Sequence, residues 1–484
     1  MCDCKKIANL LIITMLAGMT SCGGDAPAAD TTAGGETTTA APVEEGPKLE
    51  VPESDFGGHT VTFLAVDKYT SHFKLIAEEE NGDTLNDAGY KRARAVGDLL
   101  NVEFDKEETP QNDVSATLIA SVMAGEGAYD FVLPHANIGT AAMVTSGSLL
   151  DWKELEHVNF DNPWWNTEMQ DAISIAGKMF WASGDITITW QSFGALLFNK
   201  SYLTDYNIKD NPYDLVWDGT WTLDKMKTMI SGISADLNGD SVMDAEDQYG
   251  LLTLKSGGVR YQSAAGQPMT IKDADGCPVL DMGTDRMAAI VQKYYDIVMS
   301  PDTFLDQYSS TSYADSTYRS MLEGGRSFLT FFDPGGMYTH MREISYDFGI
   351  LPLPKFDEAQ KTYDTIIAAG IIGVPADVTD PERTGIIAEA LAYYSYEYVR
   401  PAFFDVVLQN KAVQDEDSYR VLTLMQDSKC FDIAYNFVGS PNAYSILDKV
   451  VVTNGGTDFA SYYDSVKDAI NKGFRDIYDA VKAQ

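Results

Sequence analysis

The chain has 484 residues, of which 35 are Lys or Arg and 72 are Asp or Glu, so its formal net charge is −37. This charge excludes an electrostatic nucleic-acid binder, which needs clustered basic residues, and argues against docking on anionic lipid through a basic patch. Hydrophobic residues make up 45% of the chain and aromatic residues 11%. The chain can therefore build packed cores, and at roughly 150 residues per domain its length predicts two or three domains.

The N-terminal segment has the composition of an export signal. Lys5 and Lys6 precede an apolar run over residues 7–18, which is too short to remain as a membrane span. Small residues then lead to Cys22, an order that resembles a bacterial lipoprotein signal, in which the cysteine is lipidated and begins the mature chain. We predict a signal peptide over residues 1–21 and a fatty acid such as palmitate on Cys22. An ordinary cleaved signal with an incidental Cys22 is the alternative.

A tether is predicted after the leader. Residues 23–50 are almost all Gly, Ala, Thr, Pro, Asp and Glu, and such a stretch buries too little apolar area to offset the entropy of ordering it. Cys22 and this tether together span residues 22–55. The sequence therefore predicts a protein anchored by lipid to the cell membrane, with the remainder of the chain on its extracellular face.

Strands and helices are predicted in alternation beyond the tether. Runs rich in apolar, β-branched and aromatic residues predict strands at 59–66, 129–133, 195–198, 250–254, 327–332, 348–353 and 366–374. A helix is predicted over 86–101, another begins at Asp380, and a third carries an apolar stripe from Phe459 to Val481 in steps of three or four residues. Strands separated by helices predict parallel or mixed sheets covered on both faces, an α/β fold.

The segment 236–247 is a candidate calcium loop. Its oxygen-bearing side chains fall at loop positions one, three, five, nine and twelve: Asp236, Asn238, Asp240, Asp244 and Asp247. Calcium takes six to eight oxygen ligands, and Val242 at position seven would add its carbonyl. Ser241 replaces the usual turn glycine and Asp247 the bidentate Glu, which makes the loop similar to those of dockerin-type repeats. A structural Ca²⁺ site is predicted; a solvated acidic turn is the alternative.

The remaining chemistry of the sequence is sparse. Two cysteines outside the leader, Cys277 and Cys430, could form a disulfide or remain as two buried thiols. The five histidines form no close pair at metal-ligand spacing, and neither a Gly-x-Ser-x-Gly nor a Walker motif is present. No pair of carboxylates is singled out among the 72 acids. We therefore predict no catalytic residues.

Aromatic residues beside polar ones point to carbohydrate. The chain has seven Trp and 26 Tyr, and several aromatics stand at predicted strand ends, as in Trp190-Gln191 and Phe332-Asp333. A sugar ring lies with its apolar face on an aromatic ring, while its hydroxyl groups hydrogen-bond to nearby polar side chains. A single Trp is more often a core residue, so the pattern is informative only as a group.

Several segments together resemble the extracellular solute-binding proteins of bacterial ABC sugar importers. They are 197–200, 353–357 and the stretch 211–250, which contains Trp221-Thr222-Leu223-Asp224-Lys225-Met226 and Asp247-Gln248-Tyr249-Gly250. The resemblance covers nearly the whole mature chain. It implies the two-lobed periplasmic-binding-protein-like fold of type II, with a ligand cleft between lobes joined by a hinge that the chain crosses several times. Crossings are expected near 185–190, 318–327 and 366–373, so that 56–187 plus 325–367 form one lobe and 188–324 plus 368–484 the other.

The resemblance also implies where the ligand binds. In the family, ligand contacts come from loops at the carboxyl ends of strands that face the gap. This places the following residues at the ligand: Asp67, Tyr69, His135, Trp190, Gln191, Arg260, Tyr261, Phe332 and Asp333. The aromatic members would stack on sugar rings, and the polar members would hold hydroxyl groups.

Two functions from different classes remain after this reasoning. The first is a monomeric binding lipoprotein that captures a carbohydrate and delivers it to the transmembrane subunits of an ABC permease. The second is a secreted, calcium-binding carbohydrate-active enzyme such as a glycoside hydrolase. The tether favours the first function, because tethering a receptor near its transporter raises its effective concentration there.

Overall fold

Helices and strands alternate along the chain. A computed structural model describes residues 46–67, 76–187, 193–306, 317–332, 343–367, 370–409, 415–437 and 442–484, with backbone only for 405–409. Its strands are β1 (His59–Val66), β2 (Val102–Thr109), β3 (Phe131–Leu133), β4 (Ala195–Asn199), β5 (Tyr249–Leu254), β6 (Thr270–Lys272), β7 (Pro278–Leu280), β8 (Thr303–Asp306), β9 (Ser327–Phe332), β10 (Phe348–Pro352), β11 (Thr365–Ile366) and β12 (Lys429–Cys430). Its helices are α1 (Thr84–Leu100), α2 (Val114–Ala124), α3 (Thr140–Thr145), α4 (Thr167–Ala172), α5 (Ser201–Asp205), α6 (Pro212–Trp217), α7 (Leu223–Ile230), α8 (Gly258–Ala264), α9 (Asp285–Val298), α10 (Thr317–Glu323), α12 (Pro381–Tyr394), α13 (Arg400–Gln409), α14 (Glu416–Asp427), α15 (Ile433–Asn436), α16 (Ile446–Asp448) and α17 (Phe459–Lys482).

 Short turns of other helical types include a 3-10 turn at Asp185–Thr187 and a π-helical turn at Ser395–Val399, which joins α12 to α13.

Two sheets organise these elements. In the first sheet β1 lies between β2 and β3, and all three strands are parallel. The second sheet has the order β10-β4-β9-β5-β8, in which β4 runs antiparallel to both neighbours while β9, β5 and β8 are parallel. Both β5 and β9 are buried along their whole length, as expected for strands covered on both faces. The predicted α/β class with mixed sheets is therefore confirmed.

Local sequence signals explain where the main helices begin. The Asp83 side chain accepts a hydrogen bond from the backbone N–H of Asn86 at the start of α1. At the predicted start of α12, Asp380 accepts from the N–H of Arg383, and Pro381 occupies the first turn. Each cap satisfies an N–H group that has no partner within the helix.

The predicted C-terminal helix is α17. Its stripe is buried at Phe459, Ile470, Phe474 and Val481, and its other faces are largely exposed. This amphipathic pattern lets α17 pack on β7, α9 and α3. Across the described residues, no helix combines the length and the apolar composition needed to cross a membrane.

Each sheet carries its own helices, and we call each sheet with its helices a lobe. The first lobe consists of the three-stranded sheet, α1 and α2 packed on it, and α12 and α13 packed on α1. The second lobe consists of the five-stranded sheet with α6, α7 and α14 packed on it. The described chain is thus two α/β lobes, each with a sheet covered by helices.

The chain passes between the lobes more than once. It leaves the first lobe after the Asp185–Thr187 turn and enters the second sheet at β4. It returns after β11, where Ile372 pairs with Ala182 and Gly373 with Val132. It crosses again between α13, which packs on α1, and α14, which packs on β10. Both lobes are therefore discontinuous in sequence.

Two parts of the predicted lobe borders are wrong. Residues 325–367 contain β9 and β10, which lie in the second sheet beside β4, whereas the sequence assigned them to the lobe of 56–187. Residues 370–409 contain α12 and α13, which pack on α1 in the first lobe. A crossing at 318–327 is also excluded, because β8 and β9 share one sheet. Which sheet a strand joins depends on distant partners, which a local pattern does not reveal.

Cys277 and Cys430 are both free thiols. Cys277 is buried and its Sγ lies 3.6 Å from the carbonyl of Pro278. Burial raises the pKa of Cys277 and raises the pKa of Cys430 to about 12. Both sulfurs therefore stay protonated and unreactive at neutral pH.

Candidate functional site

The carboxyl ends of parallel strands meet at one edge of each sheet. In the second lobe this edge is formed by the ends of β5, β8 and β9, and the antiparallel β4 begins there, with Ala195 opposite Phe332. In the first lobe it is formed by the ends of β1, β2 and β3. Ligands of open α/β sheets bind outside the carboxyl ends of their strands.

Helix α15 connects the two edges. The side-chain amide of Asn436 donates to the carbonyl of Ala136, just beyond β3, over 3.2 Å. The Thr140 hydroxyl donates to the carbonyl of Asn436. On its other side α15 packs on the Ala443–Ser445 turn, which packs on α8, and α8 follows β5. We call the region between the two edges, beside α15, the interlobe site.

The first-lobe side of the interlobe site presents polar atoms after each strand. Asp67 directly follows β1, Gln111 follows β2, and His135 follows β3. Asp67 Oδ1 and Gln111 Oε1 are buried and lack a hydrogen-bond donor in the described part of the chain. Two acceptor oxygens placed in this way suit the hydroxyl groups of a ligand. Sequence analysis selected Asp67 and His135 for the ligand site. It missed Gln111, because it did not predict a strand at the position of β2.

Arg260 lies on the second-lobe side. Its side chain is half-buried, with the guanidinium 5.7 Å from the centre of the Phe331 ring. A Cβ atom at Gly194, just before β4, would lie 2.6 Å from Arg260 Cδ. The absence of a side chain at Gly194 therefore allows Arg260 to lie across the beginning of β4, at the edge of the sheet.

Two aromatic residues selected from the sequence lie in the core of the second lobe. Tyr261 is 0% exposed and packs against Tyr294 and Phe331, with ring centres 5.2 and 6.3 Å away. Phe332 is 1% exposed, at the end of a strand that is buried throughout. Rings without exposed surface stabilise the lobe by packing. Stacking of Tyr261 and Phe332 on a ligand remains a prediction, and the burial of both rings does not favour it.

Asp448 is a buried acid beside Arg260 that the sequence did not single out. Its Oδ1 accepts hydrogen bonds from the N–H of Gly258 over 3.0 Å and from the Tyr294 hydroxyl over 3.2 Å. Burial raises the pKa of Asp448 to about 7, and the charge of Arg260 opposes this rise. Asp448 thus holds the beginning of α8 at the second-lobe edge. Its role depends on burial, which the sequence around it does not indicate.

An aromatic pair flanks Asn436 and was also missed. The rings of Tyr435 and Tyr444 are 5.5 Å apart and inclined at 53°. Tyr444 is half-buried, whereas Tyr435 is buried. Tyr444 therefore has partly accessible ring surface close to α15 and the interlobe site.

Other predicted residues lie outside the described residues. They are Cys22 in the leader region, and Tyr69, Trp190, Gln191 and Asp333 among the ligand-binding set. Residues 68–75, 307–316 and 333–342, which come after β1, β8 and β9 in the sequence, also lie outside the described residues. Much of the predicted ligand contact therefore belongs to segments whose structure is not described.

The acidic loop is folded by its own side chains. Asp236 accepts from the N–H groups of Gly239 and Ser241 over 2.6 and 2.8 Å, and Asp240 accepts from that of Val242 over 2.8 Å. Ser241 has a φ of 68°, in the left-handed region that favours glycine. This conformation explains why a glycine is the usual residue at that position.

Asp247 closes the loop from inside the protein. It is 0% exposed, and its two carboxylate oxygens accept from the N–H groups of Leu237 and Asp244, each over 2.9 Å. Hydrogen bonds from the backbone hold the pKa of Asp247 below its ordinary value. The side chain is therefore ionised at neutral pH, as a calcium ligand must be.

The donor types of the loop fit calcium, because all are hard oxygen atoms. The carboxylates of the loop are too far apart, however, for three of them to have ligand atoms within 4.8 Å of one another. Among the described residues, the exposed side chains of Glu156, His157 and Glu382 do form a group with this spacing. Several loop carboxylates are instead turned towards backbone N–H groups. Ion binding would require them to converge.

Comparisons with known proteins identify the fold. No family model matches the chain, and no curated protein matches its sequence. An ABC substrate-binding protein from Listeria monocytogenes in complex with cycloalternan has a TM-score of 0.54 at 13% identity, covering 86% of this chain and 98% of its own. The GacH receptor of Streptomyces glaucescens, solved unliganded and with acarbose, has a TM-score of 0.55 at 14% identity, covering 87% and 99%.

A third structure gives the same result. The maltose/maltodextrin-binding domain from Bdellovibrio bacteriovorus, bound to maltotriose, has a TM-score of 0.51 at 11% identity and covers 88% of this chain and 100% of its own. Similarity at this level of identity concerns the fold. The chain has the two-lobed α/β fold of the solute-binding proteins of ABC transporters.

Proposed function

We propose that this protein is the substrate-binding component of an ABC importer and binds a carbohydrate in the interlobe site. The observation that carries the proposal is the meeting of two sheet edges at α15, in a fold whose solved examples bind maltotriose, cycloalternan and acarbose. Delivery of the bound sugar to the transmembrane subunits of a permease follows from this role.

The side chains of the interlobe site support carbohydrate as the ligand class. Asp67 and Gln111 supply buried acceptor oxygens, Arg260 supplies donors, and Tyr444 supplies ring surface. Sugar hydroxyls both donate and accept hydrogen bonds, and their C–H faces lie on aromatic rings. The mixture suits a polyhydroxylated ligand better than an apolar one.

Isothermal titration calorimetry with maltotriose, cycloalternan and acarbose tests the proposal, together with a thermal-shift screen of other mono- and oligosaccharides. A sugar that binds only the folded protein must raise its melting temperature. Product analysis on the same mixtures separates the two function classes. Binding without turnover supports the proposal, whereas hydrolysis of a bound sugar would favour a carbohydrate-active enzyme.

We further propose that the protein is held on the extracellular face of the cell membrane through a lipid on Cys22. The apolar run ending before Cys22 and the polar, small-residue stretch after it support this location. A lipid anchor with a tether would keep the binding protein near its permease.

A structural calcium ion in the loop 236–247 is a separate proposal. It is supported by five oxygen-bearing side chains at ligand spacing and by the ionised, buried Asp247. The loop lies between Ala235 and Gln248, which pair through two backbone hydrogen bonds of 3.1 Å and lead into β5. An ion there would stabilise this connection to the second sheet.

A further inference from the structure

A histidine and two glutamates converge at the surface of the first lobe. Glu156 and His157 are neighbours in the chain, and Glu382 lies 225 residues after His157, in the first turn of α12. One potential ligand atom from each side chain lies within 4.8 Å of the other two. All three side chains are accessible to solvent, so an ion can reach them. We call these three residues the His157 cluster.

The backbone that carries Glu156 and His157 lies directly against α12. A Cβ atom at Gly385 would lie 2.2 Å from the carbonyl oxygen of Glu156, so the absence of a side chain at Gly385 permits this contact. Gly385 follows Glu382 by three residues, and therefore lies on the same side of the helix. His157 has a φ of 68°, in the left-handed region that few residues other than glycine adopt.

A buried carboxylate holds the chain that follows the cluster. Glu389 of α12 is 1% exposed and accepts from the indole N–H groups of Trp164 and Trp165 over 3.0 and 2.7 Å. It also accepts from the amide of Asn162 over 2.6 Å and from the N–H of Asn159 over 3.2 Å. Four donors on one carboxylate fix this segment on α12. The two elements that supply the cluster are therefore held at a fixed separation before any ion arrives.

The distances within the cluster fit the ligand spacing of a tetrahedral metal site. His157 Nε2 lies 3.4 Å from Glu382 Oε1 and 4.0 Å from Glu156 Oε2. Both distances exceed the roughly 2.7–3.2 Å of an ordinary N–H···O hydrogen bond. In a tetrahedral zinc site with bonds of about 2.0–2.2 Å, neighbouring ligand atoms are about 3.4 Å apart. One pair already has this spacing, and the other needs a side-chain movement of less than about 1 Å.

The charges around the cluster also favour a cation. In the described part of the chain, neither Glu156 nor Glu382 is paired with a lysine or an arginine. Arg383, the neighbour of Glu382, is directed instead towards Asp130 and Asp380, each at 3.7 Å. Two carboxylates held this close repel each other, and a divalent cation between them would replace that repulsion by attraction.

We propose that Glu156, His157 and Glu382 bind a divalent transition-metal ion, for which Zn²⁺ is the best fit. Imidazole nitrogen and carboxylate oxygen are both ordinary zinc ligands, and water would complete the tetrahedron. Ca²⁺ takes six to eight oxygen ligands, more than the cluster offers. The site belongs to one lobe and requires no sugar, so it goes beyond the proposed function.

Isothermal titration calorimetry of the purified protein with ZnCl₂ tests the proposal, with Ca²⁺ in excess so that the loop 236–247 does not take up zinc. His157→Asn removes the imidazole, and asparagine tolerates the left-handed backbone at this position. This variant should bind one Zn²⁺ fewer than the wild type. Glu382→Gln should raise the dissociation constant of the same site at least about tenfold, since the loss of even an outer-shell partner has this effect.

His59→Gln is the matched control, because His59 also faces a carboxylate in the first lobe. His59 Nε2 lies 3.0 Å from Asp130 Oδ1, but Arg383 lies 3.7 Å from the same oxygen and already supplies a cation. This variant should bind zinc like the wild type. Thermal unfolding establishes that each variant is folded, and the double variant Glu156→Gln/Glu382→Gln replaces His157→Asn if that protein does not fold.

The outcomes distinguish a transition-metal site from an acidic surface. Loss of one zinc ion in His157→Asn, with zinc retained in excess Mg²⁺ by the wild type, supports the site. Equal stoichiometry and affinity in His157→Asn and the wild type would overturn it. Displacement of the zinc by Mg²⁺ would also overturn it, because Mg²⁺ prefers oxygen ligands and would compete at carboxylates alone. None of these results depends on whether the protein binds a sugar.

Discussion

The hydroxyl group of Tyr294 donates a hydrogen bond to Oδ1 of Asp448 over 3.2 Å in the second lobe. The same oxygen accepts from the N–H of Gly258, so Asp448 joins α9, α16 and the first turn of α8. Because α8 follows β5 at the interlobe site, this contact connects the stability of the lobe with the position of Arg260.

The raised pKa of Asp448 predicts a pH-dependent stability. Between its ordinary pKa of 3.8 and its folded value of about 7, the unfolded chain is ionised while the folded chain keeps the proton. The contribution of Asp448 to the free energy of unfolding is therefore fully present below pH about 4. It is lost as the pH rises to about 7, and this loss is about 4 kcal/mol at most. Urea unfolding of the wild type and Asp448→Asn, between pH 4 and 8, measures it. The stability of the wild type relative to the variant should fall across this window; a constant difference would refute the prediction.

Replacing Glu389 should destabilise the first lobe. A glutamine keeps the shape but places an NH₂ group against one of the indole N–H groups of Trp164 and Trp165, which then lacks an acceptor. We expect Glu389→Gln to lower the free energy of unfolding by about 1–3 kcal/mol. Chemical denaturation measures the change, with the exposed Glu397 as control through Glu397→Gln. Equal stability of both variants would contradict the role assigned to Glu389.

Calcium should raise the melting temperature of the wild-type protein if the loop 236–247 binds it. Asp236→Ala and Asp240→Ala should abolish this rise, because each removes an oxygen ligand. Calorimetric melting curves in calcium and in chelator test the prediction, and Glu154→Ala is an exposed-acid control outside the loop. Superimposable wild-type curves in the two conditions would identify the loop as a solvated acidic turn.

Lipidation of Cys22 predicts where a variant protein is found. Cys22→Ala removes the thiol to which the lipid would be attached, so the protein should appear in the soluble extracellular fraction rather than with the membrane. Fractionation followed by immunoblotting detects the difference. Retention of the variant on the membrane at wild-type levels would argue against the anchor.

Trp190 should contribute strongly to sugar binding. The sequence predicts it at the ligand, next to Gln191, and truncation of an aromatic residue at the centre of a binding site costs about 2 kcal/mol or more. Calorimetry with maltotriose compares Trp190→Ala with Trp217→Ala, a helix α6 residue that contacts Arg420 in the second lobe. If Trp190→Ala binds as tightly as the control, Trp190 does not contact the ligand.

Features that depend on neighbouring residues could be predicted from the sequence. The pattern 59–66 predicts β1, 327–332 predicts β9, and the stripe from Phe459 predicts α17, and the structure has these elements at those positions. Asp380 caps α12 as predicted. Strand alternation, helical periodicity and caps are local properties, so a single sequence contains them.

Features that depend on distant residues required the tertiary structure. The assignment of β9 and β10 to the second sheet follows from pairing with β4, more than a hundred residues away in the chain. The burial of Tyr261, the four donors on Glu389 and the raised pKa of Asp448 come from packing between separate elements. The sequence by itself determined the α/β class, the leader pattern and the oxygen-rich loop, because these are local. Only the tertiary structure decided which strand ends meet at the interlobe site, because burial and pairing depend on contacts between residues far apart in the chain.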